Sequence, residues 1–177
     1  MLPWETGRKT LERLITCPIS IKTILMGSIW GSFIYSAFFS LIPLILGAIF
    51  LSLLPSMNFI VIIGGMIVGA LSFASFSLIL SVPPSDTPSS TMVLTVLVKF
   101  PLIFITPLFM PISNLPIGVI SPLTYLVDII NVGLGDASAF GIYGLLLDFG
   151  VLGIFGFGFL LLSFALHKKT LEKRFRG

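Results

Sequence analysis

Phe109-Met-Pro-Ile-Ser-Asn-Leu-Pro-Ile-Gly-Val-Ile-Ser-Pro-Leu-Thr-Tyr-Leu-Val-Asp-Ile-Ile-Asn-Val-Gly-Leu-Gly135 is the stretch whose reading decides the fold. It is apolar enough to lie in or on a membrane, yet Pro111, Pro116 and Pro122 recur at short intervals. Each proline removes a backbone donor and clashes with the preceding helical turn, so one straight span is excluded. A hydrophobic segment broken in this way persists at membrane depth only where other protein or a water-filled cavity satisfies its freed backbone groups. The stretch is therefore the first candidate for a functional surface.

The rest of the chain sets the solvent. Of 177 residues, 56% are hydrophobic and only 10% charged, 17 are Phe, and the mean hydropathy is +1.14. Soluble domains carry roughly 25% charged residues, so this composition belongs to an integral membrane protein. Its apolar runs exceed the ~20 residues a helix needs to cross the hydrocarbon core, and the alternating segments of a barrel are absent. The one Cys, Cys17, excludes an intramolecular disulfide framework. With one His, His167, the chain lacks the usual His/Cys zinc set. The net charge of +3 comes from basic residues beside apolar runs, a distribution that fixes membrane orientation and does not point to nucleic acid.

Working outward, residues 1–20 read as a cytoplasmic amphipathic segment. Leu11, Leu14 and Ile15 share one helical face among Arg8, Lys9, Glu12 and Arg13, and Pro18 ends it. Its plain reading is a juxtamembrane helix in the headgroup layer; the sharper one is a docking element for a cytoplasmic partner. A transmembrane domain is expected over 21–166, with spans near 22–54, 58–82, 91–111 and 140–166 and the broken, re-entrant segment at 111–135. Pro43 kinks the first span and Pro55-Ser-Met-Asn58 turns the chain. Gly65-x-x-x-Gly69 in the second permits close helix approach, as do Gly150, Gly153, Gly156 and Gly158 in the last. Lys99, about ten residues into the third span, either snorkels to the interface or faces a pathway. Asp128 and Asp148 read as solvated or helix-end carboxylates. Residues 167–177 form a basic tail.

Arg8, Lys9, Arg13 and Lys22 precede the first span, and Lys168, Lys169, Lys173, Arg174 and Arg176 follow the last. Both termini are therefore expected in the cytoplasm, which requires an even number of crossings. The reading is an all-α helical integral membrane protein of the cell membrane, with four transmembrane helices and the broken segment on the outer side. No phosphate-binding loop, nucleophile elbow or zinc-protease motif occurs, so neither catalysis nor a cofactor is implied.

Two segments resemble the membrane subunit of type-2 ABC transporters, the permease family that includes drug-resistance and polysaccharide or lipid exporters. Glu5-Thr-Gly-Arg-Lys-Thr-Leu-Glu-Arg-Leu-Ile-Thr-Cys-Pro-Ile-Ser20 is similar to its cytoplasmic pattern of a charged run, T-L-E-x-L and T-P-[VI]-S. Phe109 to Pro116 with Ser121-Pro-Leu-Thr-Tyr-Leu-Val-Asp128 is similar to its outer segment, a proline-containing helix exit followed by P-L-T-Y. The resemblance implies that Thr10, Leu11, Glu12, Leu14, Thr16 and Pro18 couple to a separate ABC ATPase subunit. It implies that Pro116, Pro122, Leu123, Thr124 and Tyr125 belong to an outer gate. A second permease copy and membrane lipid are the other implied partners. Family members usually have six spans, two of them ahead of T-L-E-x-L, so the chain is expected to represent an N-terminally truncated permease. The alternatives are a non-transport membrane scaffold, a non-functional permease fragment, and an intramembrane enzyme built on Lys99 or an aspartate.

Overall fold

The computed structural model describes residues 21–50, 52, 55–82, 88–108 and 116–176. Among them all regular structure is helical: α1 (Ile21–Phe50), α2 (Phe59–Leu80), α3 (Pro88–Ile105), a 3₁₀ turn (Pro116–Ile120), α4 (Pro122–Leu134) and α5 (Gly144–Arg176). The all-α membrane class read from composition is the class that forms. Three stretches among the described residues, Lys22–Phe50, Phe59–Leu80 and Gly144–Lys169, are long and apolar enough to cross a membrane. α3 has 18 residues, about 27 Å at ~1.5 Å per residue and just under a hydrocarbon core of ~30 Å. Large side chains such as Trp30, Ile34, Phe38, Ile60, Leu97 and Ile154 lie exposed on the helix surfaces, as lipid contact requires.

Local chemistry sets the helix ends. Asn58 caps α2: its side-chain oxygen accepts from the Val61 N–H at 3.5 Å, and its own N–H donates to the Gly133 carbonyl at 2.7 Å. α4 starts on Pro122, where a missing N–H costs nothing, after Ser121 in extended conformation. It stops at Gly135, whose φ of 108° is left-handed; the Gly135 and Asp136 N–H groups close the last turn on Val132 O and Asn131 O. The last helix was expected from Phe140 and begins instead at Gly144, because Gly141, at φ 82°, turns the chain there. Nor does α5 stop before the basic residues; it runs through them to Arg176. His167 is accordingly buried, its Nδ1 3.0 Å from the Ser163 carbonyl oxygen.

α2 is the central helix and packs on α1, α4 and α5. Near its Leu80 end, Ala74 and Leu78 meet Leu25 and Ile29 of α1, with Leu160 and Phe164 of α5 against them. Toward its Phe59 end the partner is α4. A Cβ on Gly65 would lie 2.5 Å from Ile129 Cγ2, one on Gly69 would lie 2.7 Å from a Leu126 methyl, and one on Gly133 would run into Ile62. As α2 advances through 62, 65 and 69, its contacts on α4 retreat through 133, 129 and 126. α4 thus runs antiparallel to α2 along the first half of α2, and glycines on both helices make the close approach. Of the α5 glycines noted in the sequence, only Gly156 is used this way, against Ser72; Gly150, Gly153 and Gly158 face open space.

Candidate functional site

Two features stand out: a corner around the P-L-T-Y residues, and a cavity that α4 helps to wall. The corner starts where α3 ends. Thr106 is buried, its hydroxyl 2.7 Å from Leu102 O and 3.2 Å from the Ser121 hydroxyl. Gly118 of the 3₁₀ turn presses so close to α3 that a Cβ would sit 2.8 Å from the Ile105 carbonyl oxygen. Thr124 Oγ1 donates to Gly118 O at 2.5 Å, and the Tyr125 hydroxyl donates to Val119 O at 2.7 Å. A 3₁₀ turn of five residues leaves carbonyls without helical partners; the Tyr hydroxyl satisfies that of Val119, and the Thr hydroxyl adds a second donor to Gly118 O, which also accepts from the Ser121 N–H at 3.0 Å. Pro122 completes the corner by starting α4, and it is buried. The P-L-T-Y pattern is therefore legible as mechanics: proline opens the helix, and threonine and tyrosine tie it back onto the turn before it.

The far end of α4 is fixed as firmly. Besides the Asn58 contact, the Ser56 hydroxyl donates to Leu134 O at 3.2 Å. Asp128 accepts from the Ser138 hydroxyl at 2.6 Å and the Ala139 N–H at 3.0 Å, and Tyr125 stacks on Phe140 with ring centroids 5.5 Å apart. These contacts hold the connector to α5. Asp128 is 4% exposed and Asp148, on α5, 0%, so both are buried and the solvated reading of the pair is corrected. The reason is tertiary: α5 folds back over α4 and brings Asp148 into the electrostatic reach of Asp128. Among the described residues Asp148 makes no hydrogen bond within 3.5 Å.

The cavity, about 350 Å³, lies between α1, α2, α3 and α4. Ser32, Ser36 and Ser40 line it from one face of α1, as four-residue spacing requires. Gly69, Phe73 and Ser77 contribute from α2, Lys99 from α3, and Leu126 and Ile130 from α4. Leu126 is the residue that fills the notch at Gly69, so the packing that docks α4 also sets one wall of the cavity. Lys99 is half-buried and, among the described residues, is the one charged residue lining it.

The sequence-derived candidates divide accordingly. Pro116 opens the 3₁₀ turn, Pro122, Thr124 and Tyr125 are buried in the corner, Leu123 beside them is half-buried, and Lys99 lines the cavity. Thr10, Leu11, Glu12, Leu14, Thr16 and Pro18 lie outside the described residues. Sequence reasoning missed the serine stripe of α1, although its spacing of four was visible, and missed the burial of Asp128 and Asp148, which no local signal reports.

Set against models of protein families, residues 1–134 match ABC-2 type transporter. No curated protein matches, and no solved structure does.

Proposed function

Because the chain belongs to the ABC-2 type transporter family, whose members are transmembrane permease components and not themselves catalytic, we propose that it serves as the membrane-spanning subunit of an ATP-driven exporter. ATP is hydrolysed in a separate ABC ATPase subunit. Thr10, Leu11, Glu12, Leu14, Thr16 and Pro18 form the coupling segment, on residues 1–20, through which that subunit pushes. The permease domain spans 21–166 with four crossings, α1, α2, α3 and α5, and both termini face the cytoplasm. In that orientation α4 and the 3₁₀ turn enter from the outer side, and Pro116, Pro122, Leu123, Thr124 and Tyr125 are the corner of an outer gate. A second permease copy completes the assembly in the cell membrane.

The observation that carries this reading is that α4 forms one wall of the Lys99 cavity, through Leu126 and Ile130. A short helix anchored at both ends, and docked through glycine notches, can move as one body when its neighbours shift; that is how a gate opens without exposing unpaired backbone to lipid. Lys99 then faces the pathway, and its charge is tolerated because a cavity surrounds it.

The test is partner capture. A tagged full chain, extracted in mild detergent from its own cells, should bring down a P-loop ATPase subunit, and Thr10, Leu11 and Glu12 changed together to Ala should release it. Capture of no ATPase, with the chain intact and monodisperse, overturns the permease reading in favour of a scaffold.

A further inference from the structure

Among the described residues the cavity holds one cation without a counter-charge and a set of hydroxyls, and that combination selects a ligand. Among the described residues Lys99 is the one charged residue of the lining, and no carboxylate shares the wall with it. Ser32 and Ser77 make no hydrogen bond among the described residues, whereas Ser36 and Ser40 donate to the carbonyls one turn back, Phe33 O at 3.1 Å and Ala37 O at 3.0 Å. Around these groups the wall is apolar: Met66, Phe73, Leu126 and Ile130. An ammonium among such residues attracts an anion far more strongly than one in water, and without an anion it is costly to keep there.

We propose that this cavity is a binding site for the phosphate-bearing head of an anionic amphiphile. Lys99 supplies the charge, Ser32 and Ser77 donate to phosphate oxygens, and Ser36 and Ser40 can rotate from their own helix toward the ligand, since such a back-bond contributes only about 1 kcal/mol net. A volume of about 350 Å³ lies at the small end of ligand pockets, roughly 300–1,000 Å³. It takes a head group and leaves acyl chains outside, where Trp30, Tyr35 and Phe39 of α1 and Phe100 of α3 present exposed apolar surface. A cationic or uncharged head would leave Lys99 unpaired. The proposal relies on the permease reading only for the membrane setting of the cavity.

The experiment uses the full chain, without any ATPase subunit, in phosphatidylcholine discs doped with phosphatidylglycerol, and counts retained lipid by native mass spectrometry. Phosphatidylglycerol should be retained over phosphatidylcholine. Lys99→Gln should weaken that retention about tenfold or more, the scale of one charge-assisted contact, while Lys99→Arg keeps most of it. Lys168→Gln with Lys169→Gln, outside the cavity, should leave it unchanged. Equal retention of the two lipids, undiminished retention by a folded Lys99→Gln chain, or loss in the Lys168/Lys169 variant alone overturns the site. Displacement by inorganic phosphate at the concentration of the lipid overturns the amphiphile and leaves a free-anion site. Since no ATPase takes part, lipid retention and partner capture can fail independently.

Discussion

Gly65→Ala adds a single methyl group where α2 and α4 meet. Its Cβ would lie 2.5 Å from Ile129 Cγ2 and 3.4 Å from Ile129 Cβ, against the ~3.5–4.0 Å at which carbon atoms rest. Ile129 cannot yield easily: it is β-branched, fully buried, and packed with Tyr125 and Leu152. Relief must therefore come from moving α4 about 1 Å away from α2, which loosens the contacts of Leu126 at Gly69 as well. Overpacking of this kind costs about 1–3 kcal/mol. Alanine regains roughly 0.5–1 kcal/mol of helix propensity over glycine, leaving a net loss of about 0–2.5 kcal/mol. Gly150→Ala is the matched control, because its Cβ would meet nothing within 4 Å; it should be neutral or stabilising by up to about 1 kcal/mol. Unfolding of the purified chain in mixed micelles with increasing SDS measures both. Adding Ile129→Ala to Gly65→Ala should cost less than the two changes summed, by on the order of 1 kcal/mol, since the new methyl enters the space the isoleucine leaves. If Gly65→Ala proves as stable as Gly150→Ala, α4 is not seated on α2 as described.

Thr124→Val keeps the shape and removes one of two donors to Gly118 O, which still accepts from the Ser121 N–H at 3.0 Å; a loss of about 0.5–1.5 kcal/mol is expected in the same unfolding assay, with faster proteolysis between residues 106 and 122. Asp128→Ala strands the Ser138 and Ala139 donors and should cost about 1–3 kcal/mol. Asp148→Asn, by contrast, should be neutral or stabilising, because the carboxyl it replaces is fully buried without a hydrogen bond among the described residues; a large loss of stability on Asp148→Asn would show that its charge is satisfied by a group outside them.

How much of this was legible in the sequence depends on the range of the interaction. Helix ends set by local chemistry were readable: Pro55 to Asn58 does turn the chain, and the prolines do break the stretch before Pro122 starts α4. The P-L-T-Y residues could be picked out, but their hydroxyl ties to Gly118 and Val119 could not, since nothing in a sequence says that the turn folds back beneath them. Gly65 and Gly69 were visible as a close-packing pair, while their partner, the broken segment itself, was not. The same ambiguity affected α5, where four glycines look alike and only Gly156 packs. Lys99 shows the limit best. Hydropathy marks it as a charge in an apolar run, but whether it reaches an interface or a cavity depends on what three other helices place around it. Asp148 is the converse case, a carboxylate near a helix start whose burial depends on α5 folding back over α4.

The most direct test of the permease function is coupling in lipid vesicles that hold the chain, its captured ATPase subunit and any further permease subunit that co-purifies. With the native sequence, ATP hydrolysis should depend on the chain and should drive transport. Glu12→Ala and Pro18→Gly, at the base of the proposed coupling segment, should leave the ATPase bound and hydrolysing while transport falls at least tenfold. Unchanged coupling in both variants, in assemblies that remain intact, would contradict the coupling segment, and ATP hydrolysis and transport that do not depend on the chain would contradict the permease function.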